Sequence, residues 1–350
     1  MAASGGHWNS LAEAQELSQA KRVAGIVEED IKRGGLMGLL PVMQQTGTQL
    51  EWVREGTVGT SSRASIGSQL AWSEETTYDT ITEALVIRYK QTALNKYVEG
   101  VYGTFNNYAA IQALEDRKAI VQGANTDLLY GDPTNGAAGS SEARGLHYIS
   151  QLYPTALGGA TNGLNIDEGE AGLALANMRQ LEREMKYGID FWLFPYVILD
   201  RLSAYVQEAG LSTNTFGNID FTLDDLGRRV TSWNGAPVIG SDYLVAEQEN
   251  TGTDGSSLRA LASAAGYGGD NQYSVFAIKR GQVARGEGGL TFAFGGDGAS
   301  PGEPLMVDYF PSLEDFDASG LRHRMYYNLA DGSRMSVGRI YDIEDSAVVA

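Results

Sequence analysis

The chain has 350 residues, with 44 acidic and 26 basic side chains, a net charge of −18 and no cysteine. That length allows about two domains and a sizeable core, while the missing thiols exclude disulfides, thiolate metal sites and cysteine nucleophiles. The acidic balance excludes a phosphate-binding surface built on excess positive charge, and three scattered histidines, His7, His147 and His323, argue against a histidine-rich metal centre.

The opening MAASGGHWNS has no basic stretch followed by an apolar one, which predicts a chain without a secretory leader, soluble and inside the cell. The longest apolar runs, Leu36–Met43 and Phe191–Leu199, fall short of the ~20 residues that cross a bilayer. Ser10–Arg33 is helix-permissive and weakly amphipathic, and Gly34-Gly35 is the predicted stop. The first 48 residues therefore read as an arm that docks either on its own chain or on a neighbouring subunit.

Gln49–Lys90 changes character. Leu50 and Trp52 sit two apart, as do Leu70 and Trp72, and Leu85, Ile87 and Tyr89 repeat at the same period. Alternation of this kind predicts strands. Between them, Gly56–Gly67 is a polar stretch without a core pattern, so the reading is a long β-hairpin with a flexible tip. At ~3.3 Å per residue, a 16-residue arm would reach roughly 50 Å. A two-stranded ribbon is marginal alone in water, so either the rest of the chain or another copy must supply a surface. Arg54, Glu55, Arg63, Glu74 and Glu75 lie along it.

Thr104–Tyr130 is predicted as one long helix, with Ala110, Leu114, Val121, Ala124 and Leu128 on one face, stopping at Gly131-Asp132-Pro133. A Gly/Ala/Ser loop follows at Asn135–Ser141. Asp167 and Glu170 resemble a capping box and open a predicted helix whose apolar stripe is Ala171, Ala174, Met178, Leu181 and Met185, with Gly188 at its stop. Asp190–Phe194 is a short apolar strand. Pro195 opens a further helix lined by Ile198, Leu202, Tyr205 and Ala209. Asn234-Gly235 is a turn into a strand at Pro237–Ile239, and Val275–Ile278 is another strand. A glycine-rich loop at Gly286–Gly302 precedes the last strands, of which Met335–Ile343 is the clearest. The class is α+β, without a repeating βα unit.

Catalytic constellations are missing. No GxGxxG opens a helix, no GxxxxGK[ST] occurs, and HExxH is absent. Gly266–Gly269 and Gly295–Gly298 read as surface loops. His147 reads as a structural histidine rather than an acid–base group. The acidic clusters Glu28–Asp30, Asp224-Asp225 and Glu314–Asp317 read as solvated surface, a paired-carboxylate hydrolase being the enzymatic alternative. No catalytic residue, cofactor or metal is expected, and the hairpin that wants a surface points to an assembly protein.

The order of these elements resembles the major capsid protein of tailed bacteriophages, the shell fold also found in encapsulins. Leu128–Pro133 followed by Arg144-Gly145-Leu146 is similar to the family's close of a long spine helix. Asp190–Pro195 with Leu199 resembles the entry to its axial domain, Trp233–Ile239 with Ser241-Asp242 its "Gly-x-Pro-Val" strand, and Ser336–Ile343 its terminal strand. The resemblance implies an N-terminal arm (1–48), an extended hairpin loop (49–86), a peripheral domain with the spine helix (87–145), an axial domain (146–304, with a connecting helix at 167–188) and a return to the peripheral domain (305–350). It also implies a non-enzymatic subunit that assembles into pentamers and hexamers of an icosahedral head enclosing double-stranded DNA. The alternative is an encapsulin-type nanocompartment.

Its partners would be many copies of itself, a separate scaffolding protein (the arm being short for a fused scaffolding domain), a portal and a decoration protein, with no membrane. Its location would be the virion capsid, and the host cytoplasm during assembly. Intersubunit contact is expected at Trp52, Arg54, Glu55, Arg63, Trp72, Glu74 and Glu75, with Trp52 and Trp72 buried on the neighbour and Arg54 and Arg63 paired to its carboxylates. Some relatives crosslink through a lysine on the hairpin loop; Gln49–Val86 contains none, which predicts non-covalent shells.

Overall fold

The computed structural model describes residues 30–349 apart from 48, 57, 71, 73–74, 98–99, 101–107, 135–141, 153–162, 209–218, 224–228, 250–259, 263–267, 297–303 and 315–316. The architecture is α+β. The strands are β1 (Val42–Gln45), β2 (Gln49–Glu55), β3 (Tyr78–Ala84), β4 (Val86–Asn95), β5 (Asn165–Ala171), β6 (Phe191–Pro195), β7 (Ile219–Leu223), β8 (Arg229–Trp233), β9 (Ala236–Ser241), β10 (Glu247–Gln248), β11 (Asn271–Ile278), β12 (Leu290–Gly295), β13 (Leu305–Phe310), β14 (Ala318–Asp331) and β15 (Val337–Glu344). The helices are α1 (Tyr108–Tyr130), α2 (Leu146–Leu152), α3 (Leu175–Glu184) and α4 (Tyr196–Glu208).

Two sheets carry the body. The first is built on the long strand β14, which pairs β4 along one edge and β12 then β13 along the other, with β1 parallel to β12. The second runs β5-β15-β11-β6-β9-β8-β7, with β10 against β11. β2 and β3 form a separate two-stranded ribbon. One core lies between α1, α2 and both sheets, around Leu128, Phe276, Phe292 and Tyr327. Another lies under α3 and α4, around Met178, Trp192, Leu202 and Ile340.

The helix α1 has 23 residues, about 35 Å at 1.5 Å per residue. Its C-terminal half keeps the predicted face buried at Ala124 and Leu128, but Ala110 and Leu114 are exposed. It stops where expected, for a steric reason. A Cβ on Gly131 would lie 2.2 Å from the carbonyl oxygen of Ala143, and one on Gly145 would lie 2.6 Å from the Gly131 nitrogen. The Gly145 N–H donates to the Gly131 carbonyl at 2.8 Å, so the chain doubles back at a distance only glycine permits.

Several expectations change. Residues 10–29 of the predicted N-terminal helix lie outside the described residues, and residues 30–35 are not helical. Gly34 instead takes φ 72° and passes within 2.2 Å (Cβ position) of the Gly240 carbonyl oxygen. The capping-box reading at Asp167 and Glu170 fails, because 165–171 is β5, parallel to β15. Left-handed Gly169 (φ 64°) and Glu170 (φ 62°) break any helix there. Asp167 accepts from the Gly169 N–H at 2.8 Å, and Glu168 accepts from Ala174 N–H at 3.1 Å just before α3 begins. The 167–188 helix is thus confined to Leu175–Glu184.

The predicted loop Gly286–Gly302 contains β12, buried at every position. Its Leu-Thr-Phe-Ala-Phe alternation was masked by flanking glycines. β12 belongs to the first sheet and β15 to the second, so the segments 146–304 and 305–350 do not each map onto one sheet. The Asn234-Gly235 turn is as predicted. Both residues have positive φ, 49° and 86°, and Trp233 pairs directly with Ala236 across a two-residue hairpin.

Candidate assembly element: the hairpin and its anchor

Strand β2 reads QLEWVRE and alternates strictly, with Leu50, Trp52 and Arg54 buried and Glu51, Val53 and Glu55 exposed. It pairs β3 antiparallel from Gln49↔Ala84 to Glu55↔Tyr78. Seven residues per strand span about 23 Å at 3.3 Å each, well short of the 50 Å ribbon expected. Beyond that ladder the described residues 58–70, 72 and 75–77 lie in no strand.

The base of the ribbon sits on the first sheet. Leu50 and Trp52 pack on Ala293 and Ala330, with Ile81 and Leu85 at the edge. The Trp52 Nε1–H donates to the Asp331 carbonyl at 3.0 Å. An arginine on the apolar face of a strand needs a buried counter-charge. Arg54 lies 3.4 Å from the Asp331 carboxylate, whose other oxygen accepts from Arg144 at 2.8 Å. Arg144 also lies 3.5 Å from Glu83 on β3 and 5.9 Å above the Trp52 ring. Asn328 accepts from the Arg144 backbone N–H at 2.9 Å and donates to the Ala84 carbonyl at 2.7 Å. Arg334 and Asp79 close the outer side at 3.2 Å. Burial pushes the Glu83 carboxyl above its ordinary range; Arg144 and Arg54 oppose the shift and Asp331 adds to it.

The tip is different. Val58, Ile66, Leu70 and Trp72 are exposed, Ile66 and Trp72 fully. Arg63 and Glu75 are exposed, and so is Glu55 at the last rung. Glu74 lies outside the described residues. Of the residues expected at a contact between copies, Trp52 and Arg54 find partners within their own chain, whereas Arg63, Trp72 and Glu75 project from it. Sequence reasoning missed Asp331, Glu83 and Asn328. Arg54 was expected to pair with a neighbour's carboxylate; the acid it meets is Asp331 of its own chain.

His147 is the structural histidine the sequence suggested. It is buried, its Nε2 lies 3.0 Å from Glu247, and the rings of Tyr130 and Phe276 flank it at 4.6 and 5.2 Å. The second carboxylate oxygen of Glu247 accepts from Arg339 at 3.0 Å, and Arg339 reaches Ser274 at 3.1 Å. Burial alone would raise the Glu247 pKa, but His147 and then Arg339 hold it down at about 2. Among the described residues no group of three His, Asp or Glu side chains could hold a metal, and no helix is long and apolar enough to cross a membrane.

A hairpin locked at its base and open at its tip, a long helix laid on one sheet, and a chain that crosses three times between two sheets make up a fold shared with solved tailed-phage capsids and an encapsulin. The likeness to solved structures spans nearly the whole chain. It covers 98% of this chain and 98% of the subunit in the holo-SrpI encapsulin complex of Synechococcus elongatus PCC 7942, with a TM-score of 0.62 at 12% identity. For the capsid of cyanophage A-1(L) the figures are 94% and 98%, with a TM-score of 0.62 at 13% identity. For the capsid of the native GTA particle they are 95% and 98%, with a TM-score of 0.58 at 13% identity. No protein-family model and no curated protein matches the chain by sequence.

Proposed function

We propose that this chain is the shell subunit of an icosahedral particle, the major capsid protein of a tailed-phage-type head that encloses double-stranded DNA. The observation that carries the reading is the hairpin itself. Its base is fixed by buried charges, while its tip holds Leu70 and Trp72 exposed, within a fold shared end to end with shell proteins. Heterologous contacts between copies close into rings, and five- and six-membered rings tile the shell. Each exposed ion pair contributes little, ~0–1 kcal/mol, but every subunit repeats it. Such contacts can break and re-form, which lets an assembling lattice correct errors.

The role is structural, not enzymatic. Alongside many copies of itself, the partners in this reading are a separate scaffolding protein, a portal and a decoration protein. The product is a virion capsid built in the host cytoplasm. The acidic balance suits a wall that repels packaged DNA. Gel filtration and negative-stain microscopy test the proposal: megadalton hollow particles are expected, and a stable monomer or dimer under all assembly conditions overturns it. Co-expression tests the scaffolding role, since uniform closed shells from this chain alone would remove it. The likeness to the Synechococcus encapsulin supports a second reading, a nanocompartment; a co-purifying cargo protein in place of DNA would select it.

A further inference from the structure

The helix α1 is seated on the first sheet in two unlike halves. The C-terminal half, residues 121–130, puts Ala124, Leu128 and Leu129 into the core. Its Asp127 accepts from Arg88 and, at 2.5 Å, from the Tyr327 hydroxyl, and the Gly131–Gly145 crossing ties down its end. The N-terminal half, residues 108–117, has less under it. Ala109 and Ala113 pack on Leu94 and Leu321, Leu114 stands exposed, and a groove of about 630 Å³ opens between the helix and Leu305 and Val307 of β13. His323 of β14 lines that groove. Among the described residues, the buried charge of this half is Asp116.

Asp116 divides its two oxygens. Oδ1 accepts from the Lys90 ammonium at 3.0 Å and from the Gln112 amide at 3.0 Å. Oδ2 faces Nδ1 of His323 across 3.9 Å, too far for a hydrogen bond, and neither atom has a hydrogen bond among the described residues. His323 is 2% exposed, so a proton taken up there has little water to spread its charge. The groups around the ring come from three elements. β4 places Lys90 directly opposite, on the same face of the sheet. β13 places the uncharged Val307 opposite on the other flank. α1 brings Asp116 and, at the rim of the groove, the exposed Arg117. Arg88, the next charge on that face of β4, is committed to Asp127. A buried imidazole therefore meets two cations and one acid that Lys90 already shares. Burial holds the His323 pKa below 6.5; Asp116 opposes the shift, and Arg117 and Lys90 add to it.

We infer that His323 is an acid-sensitive latch on α1: the uncharged ring lets residues 108–117 seat on the first sheet, and its protonation loosens that half of the helix while residues 121–130 stay in place. The folded state holds this proton less tightly than the unfolded chain, whose histidine keeps the ordinary value of 6.5. The stability that the neutral ring contributes is complete above pH 6.5 and is lost as the pH falls from there through the folded value. The loss falls on the half of the helix with the thinner packing, since local opening starts where few buried contacts oppose it. Loosening there widens the groove and uncovers its apolar lining. The latch belongs to the single subunit and does not rest on the shell reading.

Hydrogen exchange read by mass spectrometry tests this on the full chain, as subunits or as particles. After correction for the intrinsic pH dependence of exchange, protection of residues 108–117 should fall several-fold between about pH 7.5 and about pH 5.5, while that of residues 121–130 stays level. H323Q keeps a polar side chain of similar reach that cannot take up a proton, and it should hold the protection of residues 108–117 level across the same range. Equal protection of this half at both pH values in the parent overturns the latch. So does a loss shared equally by both halves of the helix, which would be general loosening in acid, and so does a loss that persists in H323Q, which would assign it to another group. If H323Q does not fold, the comparison of the two halves in the parent decides alone. R117Q gives a readout that a merely structural histidine would not move. In low-salt buffer it removes one of the two repelling cations without touching a buried contact, so the acid loss should shrink; an unchanged loss takes Arg117 out of the latch.

Discussion

Asp331 lies within reach of two buried guanidiniums, Arg54 at 3.4 Å and Arg144 at 2.8 Å. Removing one partner of a buried pair leaves uncompensated charge and costs about 3–5 kcal/mol. D331N should therefore lower stability by that order, read as a shift of the urea midpoint, and should loosen the hairpin base; an unchanged midpoint would refute the anchor. Glu83 behaves oppositely. Its folded pKa is raised above 4.5 by burial, so the folded state holds its proton more tightly than the unfolded chain. The stability this contributes is complete below about pH 4.5 and is lost as the pH rises through the folded value. E83Q should then be at least as stable as the parent at pH 7 and show a flatter pH dependence in mild acid, as followed by thermal melts. Sequence made the spacing of Leu50 and Trp52 legible as a strand, but it placed Trp52 and Arg54 against a neighbouring copy rather than within the chain. It could not reveal the partner of Trp52, which lies 279 positions away, because long-range pairing leaves no local pattern.

At the scale of elements, what was legible had strong punctuation. The close of α1 at Gly131-Asp132-Pro133 and the Asn234-Gly235 turn were readable because proline and glycine restrict or free the backbone at single positions. β12 was not, since its five-residue alternation sits among glycines that outvote it. β5 was missed for a related reason: an acidic pair at capping spacing mimics a helix start, and only the left-handed pair Gly169-Glu170 shows otherwise. The hairpin was recognised but its ladder was overestimated, because exposed apolar residues such as Leu70 and Trp72 also alternate without being paired. This separation of base from tip carries a prediction. Among the described residues, the interactions that hold the ribbon to the body lie in β2, β3 and their contacts, so deleting Thr57–Gly67 should leave a subunit with an unchanged melting temperature. The same deletion should abolish stable shells by negative stain. Normal particles from the deletion would take the tip out of its assigned role.

For the whole molecule, the absence of lysine from Gln49–Val86 removes the amine that a covalent link from the hairpin would require. Boiled particles should give only the 37.6 kDa subunit on a denaturing gel, and ladders would contradict this. A shell without covalent links depends on the packing within each subunit, and one buried cluster ties α2 to the second sheet. Glu247 on β10 holds His147 on α2 at 3.0 Å and Arg339 on β15 at 3.0 Å. Its pKa is held at about 2 against an ordinary 4.5, so its folded value lies below its unfolded one. The stability it contributes is therefore complete above about pH 4.5 and is lost as the pH falls through about 2. Subunits should accordingly keep a constant melting temperature on this account down to about pH 4.5 and lose it progressively below. E247Q, which cannot balance Arg339, should be less stable at neutral pH by about 3–5 kcal/mol and should lack that acid limb. A variant that melts like the parent at pH 7 and follows the same acid profile would show that the packing of α2 on the second sheet does not depend on this charge.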